Sequence, residues 1–120
     1  MEPKFYPEFE PVRDKIAMIS QPMNGRTDEE ILKERKEAMD YLIAEGYSVI
    51  NTFFNDMPSD EELRKDYDVK QFPVFYLAMS IGSMAECDAV YFVKGWDQAR
   101  GCKIEHEIAL QYGLLVIEGK

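Results

Sequence analysis

The residue of greatest chemical interest is Glu105. On a helical wheel at about 100° per residue with Gly101 at zero, Ile104, Ile108, Tyr112, Ala109 and Cys102 share one arc, from ~300° through zero to ~100°. Lys103, Glu107 and Gln111 fall between ~200° and ~280°, the wet side. Glu107 is spaced to pair with Lys103 at i, i+4, an exposed ion pair of little energetic consequence. Glu105 lands near ~40°, inside the apolar arc. A carboxylate there must be paired or put to use, because an unpaired buried charge is costly. It is also expected in the first turn of its helix, where backbone amides favour the ionised form and apolar surroundings raise the pKa. Charged but poorly solvated is the condition that suits a carboxylate nucleophile. The structural alternative is that Glu105 satisfies helix amides or pairs with Arg100 or Arg26.

Four apolar runs alternate with helical segments around this residue. Lys15 to Ser20 reads as a strand ending in the turn cluster Gln21-Pro22-Met23-Asn24-Gly25. Thr27 to Glu30 fits a capping box, followed at helical spacing by Ile31, Leu32, Arg35, Ala38, Met39, Leu42 and Ile43, with Gly46 as the stop. Tyr47 to Asn51 is a second strand, and Thr52 to Phe72 the least regular stretch, with a capping box at Ser59 to Glu62. Pro73 to Glu86 reads as a helix with proline in its first turn. Ala89 to Val93, the helix Gly101 to Tyr112, and Leu114 to Ile117 complete the order. Residues 1–14 carry Pro3, Pro7 and Pro11 among aromatics and read as an extended arm before a single domain, 15–120. The arm's aromatics would cover either its own domain or a neighbouring subunit.

Such alternation predicts an α/β fold: a doubly wound, flavodoxin- or Rossmann-like parallel sheet of four to five strands with helices on both faces. The apolar run Leu114 to Ile117 is what a strand buried on both faces looks like. Ligands of such sheets sit beyond the carboxyl ends of the strands where strand order reverses. That directs attention to Gln21–Arg26 after the first strand and Lys94–Arg100 after the third.

The 120 residues allow one domain, and 46% hydrophobic with 12% aromatic content excludes intrinsic disorder. No run is long and apolar enough to span a membrane, and the N-terminus lacks the layout of a signal peptide, so a cytoplasmic protein is expected, with Cys87 and Cys102 as free thiols. A net charge of −9 argues against binding long nucleic acids through their backbone. Gly-x-Gly-x-x-Gly and P-loop motifs are absent, which removes support for dinucleotide and P-loop phosphate binding. A receiver domain would need Asp where Val93-Lys94 stands, and the loop after the first strand resembles a flavodoxin phosphate loop poorly. Arg26, Lys94, Arg100 and Lys103 gather around the two chosen loops, so a locally positive mouth is expected on an acidic protein.

Ile19-Ser20-Gln21-Pro22-Met23-Asn24-Gly25, Cys87 to Phe92, Lys94-Gly95-Trp96, and Ala99 to Glu105 with Ala109 form an ordered set. Together they resemble the nucleoside 2-deoxyribosyltransferase-like superfamily, through a small branch found in prophages and Gram-positive bacteria. The resemblance runs from about Lys15 to Ile117. It implies that Glu105, in Gly-x-x-x-Glu-x-x-x-Ala, attacks the anomeric carbon of a nucleoside or its 5′-monophosphate. Water or a second base then resolves the glycosyl ester, without a metal or a redox cofactor. It further implies that Ser20, Gln21, Pro22, Met23, Asn24, Gly25 and Gly101 line the sugar and base and that Trp96 offers a stacking face. Arg26 and Arg100 would attract phosphate, and a homo-oligomer, a dimer or higher, would complete the site. Ser80 stands where relatives carry the base-side Asp, and Ala99 where phosphate-binding relatives carry Ser, so the substrate does not transfer with the nucleophile.

The alternative function is a non-catalytic nucleotide-binding module using the same cleft, and a third is a subunit that serves interaction. Tyr76 is a further candidate for the site. Cys102 and His106 have the i, i+4 spacing of two metal ligands, but no third or fourth ligand is evident; a surface or capping role is the default for His106.

Overall fold

In a computed structural model, residues 14–50 and 60–120 are described here. The elements are β1 (Lys15–Ser20), α1 (Asp28–Ala44), β2 (Tyr47–Val49), α2 (Asp60–Lys65), α3 (Phe72–Met84), β3 (Ala89–Phe92), α4 (Arg100–Gln111) and β4 (Leu115–Glu118). A single 3₁₀ turn, Trp96–Gln98, precedes α4. Residues 1–13 of the N-terminal arm, and residues 51–59 with Ser59 at the start of the second capping box, lie outside the described residues.

All strand pairs are parallel, in the order β2-β1-β3-β4. The chain moves one way from β1 to β2 and the opposite way from β3 to β4. Right-handed crossovers therefore place α1 on one face and α4 on the other. Residue parity along the central strands shows the same division. Ala17 and Ile19 of β1, with Ala89 and Val93, meet Ala38 and Leu42 of α1. Met18, Val90 and Phe92 meet Met84 and Ala109 on the opposite face. Each strand side chain points away from its neighbour, so β1 and β3 build two cores at once. Burying a Leu, Met or Phe side chain in such a core stabilises the fold by about 1.5–3 kcal/mol.

α1 starts where its capping box predicts. Thr27 Oγ1 accepts from the Glu30 amide at 3.1 Å and donates to Glu30 Oε1 at 3.2 Å. Its buried stripe is narrower than the periodicity suggests: Arg35, Ala38 and Leu42 are buried, whereas Leu32 and Ile43 are exposed. β4 departs further from expectation. Leu115 and Glu118 are exposed because β4 is an edge strand, and the doubly buried strands are β1 and β3. Asp88, just before β3, fixes the start of β1: its amide donates to the Ile16 carbonyl at 2.7 Å, and its Oδ2 accepts from the Ile16 amide at 2.8 Å.

The β1–β3 register pairs Ser20 with Phe92, so both strands end side by side. The loops that follow them open together at the place where strand order reverses.

Candidate active site

Those loops and the start of α4 enclose a cleft of about 590 Å³, a size that suits a small organic ligand. Its lining includes Gln21, Pro22, Met23, Asn24 and Arg26 from the first loop, and Arg100, Gly101 and Glu105 from α4. These predicted residues come together. Gly95, Gln98, Ala99 and Cys102 also line it. Cys102 was legible on the wheel, one turn before Glu105 on the same arc.

Glu105 is 7% exposed and lies in the second turn of α4, not the first, because the helix begins at Arg100. Helix-terminal amides therefore do not hold its carboxyl group. Among the described residues it has no ion-pair partner; neither Arg26 nor Arg100 reaches it. Burial pushes its pKa up to about 7, opposed by the Ser20 hydroxyl. The buried stripe of α4 is Cys102, Glu105 and Ala109, so Glu105 is at its centre. Ile104 and Tyr112, expected in that stripe, are exposed instead, and Glu107 accepts from Gln111 at 2.9 Å rather than pairing with Lys103.

Arg26 joins the two loops. Its guanidinium donates to the Pro22 carbonyl at 3.1 Å and the Lys94 carbonyl at 2.6 Å, and it sits 3.3 Å from Glu34 Oε1. Gly95, at φ +95°, has no side chain, and a Cβ there would collide with that guanidinium. The expected positive mouth is thus narrower than its four basic residues suggested. Lys94 and Lys103 are outside the lining, and the charge on Arg26 is opposed by Glu34. Arg100 is an exposed cation of the lining with no ion-pair partner among the described residues. Gln21 is oriented by its Nε2, which donates to the Ile31 carbonyl at 2.7 Å.

Other predicted positions lie elsewhere. Gly25, at φ +77°, is the third residue of a turn closed by Arg26 N–H donating to Met23 O at 3.3 Å, and its role is conformational. Ser80 is half-buried on α3 and outside the lining. Tyr76 donates to Asp60 at 2.9 Å and is likewise outside it. Trp96 is outside the cleft lining. Its ring stacks on His106 at 3.8 Å and 7°, and tilts against Phe92 of the core. His106 Nε2 lies 3.0 Å from Glu118 Oε1, and no group of three metal-ligating side chains exists among the described residues. Ser20, 3% exposed, sits behind the cleft rather than in its lining.

No helix among the described residues is long and apolar enough to cross a membrane. No curated protein and no solved structure matches the chain. Residues 15–118, spanning every strand, the cleft loops and Glu105, match the family described as Domain of unknown function (DUF4406), and the chain belongs to that family.

Proposed function

We propose that the protein breaks the N-glycosidic bond of a small nucleoside or nucleoside 5′-monophosphate, with Glu105 as the nucleophile. The observation that carries this reading is a buried carboxyl group with no ion-pair partner among the described residues, lining a ligand-sized cleft at the strand-order reversal. The resemblance to the nucleoside 2-deoxyribosyltransferase-like superfamily supports the same residue in the same role. The ionised carboxylate attacks the anomeric carbon as the carbon–nitrogen bond breaks. That bond's electron pair leaves with the base, which takes a proton from solvent at the cleft mouth. Water or the nitrogen of a second base, each losing a proton, then displaces the ester and frees Glu105, with overall retention. Arg100, exposed in the cleft lining, would meet a 5′-phosphate.

A panel of nucleosides and 5′-monophosphates, followed by chromatography for free or exchanged base, tests the reaction. Turnover of at least one member is expected, abolished in Glu105→Ala and largely kept in Glu107→Ala, whose side chain faces solvent. Among the described residues the lining holds no second carboxyl group, which favours a binding module as the second reading. Tight binding of one panel member without turnover of any would establish it and overturn the first.

We also propose that two copies associate through α3. Its thirteen residues, FPVFYLAMSIGSM, carry no charge, only Met84 is buried, and Val74 is 62% exposed. In a chain of net charge −9, a neutral apolar face is where two identical molecules meet with least repulsion. α3 also borders the cleft, since Leu77 is the nearest neighbour a Cβ on Gly101 would meet, at 3.8 Å.

A further inference from the structure

Ser20 closes β1, and its parity places it with Ile16 and Met18 on the face covered by α4. It is 3% exposed, and its Oγ is buried and has no hydrogen-bond partner among the described residues. A buried hydroxyl left in that condition loses the hydrogen bonds it had in water, a cost of roughly 1–3 kcal/mol. The buried stripe of the helix over that face carries the carboxyl group of Glu105 and the thiol of Cys102, and the hydroxyl favours the ionised form of each. It has one proton to give. Burial and the neighbouring Glu105 keep the thiol in its neutral form, so Cys102 retains its own proton and the carboxylate is the stronger claimant. Because Ser20 is sealed from the cleft, its hydroxyl meets no ligand directly.

We propose that Ser20 is a positioning residue for Glu105: its hydroxyl donates to one carboxylate oxygen from behind, leaving the other oxygen facing the cleft. The Cys102 S–H in turn donates to the free lone pair of Ser20 Oγ, completing a short chain from thiol to hydroxyl to carboxylate. A hydrogen bond to a charged acceptor is stronger than one to a neutral group, so an ionised Glu105 is the acceptor that best satisfies this buried, unpartnered hydroxyl. Among the described residues, the other charged groups lining the cleft with Glu105 are Arg26 and Arg100, while His106 on the same helix turns away to Trp96 and Glu118.

Calling Glu105 a nucleophile rests on the function proposed above, but the Ser20 link is tested without turnover. The ionisation of Glu105 is followed by carbon NMR of its side-chain carboxyl, labelled with ¹³C, in the ligand-free full chain, assigned by its loss in Glu105→Gln. Ser20→Ala removes the donor and is expected to raise the midpoint by about one pH unit, a tenfold change in the ionisation constant. Ser20→Thr, which keeps the hydroxyl, restores it. Should Ser20→Ala not fold, the Ser20→Thr and Ser20→Val pair, alike in shape and differing in the hydroxyl, gives the same comparison. An unchanged midpoint in the hydroxyl-free variant overturns the inference. A moved midpoint in a protein that turns over no panel member sustains the link and removes only the glycosidic reading. Where turnover is found, the acid limb of the kcat/KM profile moves with the NMR midpoint, and an acid limb that stays in place also overturns the positioning role.

Discussion

At the scale of a residue, Glu105 costs the protein stability in exchange for a poorly solvated carboxylate. Its folded pKa, about 7, lies above the ordinary value of 4.5. Between those values the native state holds a proton that the unfolded chain has released. Stability therefore falls as pH rises through this window and levels off above the folded value. The full difference corresponds to about 3 kcal/mol. Glu105→Gln keeps the shape and removes the charge, so it is expected to be more stable than the parent above neutral pH, by up to that amount. The two proteins should converge toward the acid end of the window. Urea unfolding across pH checks this; equal stability of the two at alkaline pH would mean that the carboxylate is better solvated or paired than its burial implies. The sign is opposite to that of a salt-bridged carboxylate, whose removal destabilises. The proposed glycosidic activity, by contrast, would need the ionised form and is expected to rise with pH through about 7, which a kcat/KM profile checks.

At the scale of the elements, the two loops divide the work of their arginines. Arg26 holds three groups from two loops and α1, whereas Arg100 is exposed at the cleft and has no ion-pair partner among the described residues. Arg26→Ala should therefore lower stability by about 1.5–3 kcal/mol, the usual cost of losing hydrogen bonds from a charged group. Arg100→Ala should leave the melting temperature nearly unchanged and selectively weaken a 5′-monophosphate relative to its nucleoside. Calorimetric melting and isothermal titration separate the two effects, and a selective phosphate loss in Arg26→Ala would reverse the assignment. Nothing in the sequence distinguishes these arginines, because the difference comes from carbonyl positions in a loop 68 residues away. The elements themselves were legible: alternating apolar runs, the Thr27 cap and proline at the start of α3 are local signals. The facing of Glu105 was legible too, since helical spacing fixes it. Trp96 was not, because its stacking on His106 depends on how the 3₁₀ turn folds back over α4. Nor was the exposure of Leu115, which follows from which strand becomes the edge.

At the scale of the whole molecule, net charge and apolar surface act against each other. The −9 charge keeps copies apart at long range, while α3 presents an uncharged apolar helix. Burial of that helix against a second copy, as proposed, would be short-ranged, whereas the repulsion is screened by salt over about 10 Å at 0.1 M ionic strength. Association should accordingly strengthen as salt rises, the reverse of an interface held by ion pairs. Sedimentation equilibrium at micromolar concentration is expected to give twice the 14.0 kDa chain mass. Val74→Glu and Met79→Glu together add charge to the proposed contact helix and should return the monomer, with the circular dichroism of the parent preserved. Both side chains are exposed in the single chain, so a folded double variant is the natural outcome. A parent that sediments at 14.0 kDa in low and high salt alike would leave α3 without a second copy. A dimer indifferent to the double variant would place the contact on another face. Because Leu77 of α3 lies beside Gly101 of the cleft, dissociation of a dimer formed at α3 should also weaken ligand binding. An affinity unmoved by dissociation would confine the partner copy to a structural role.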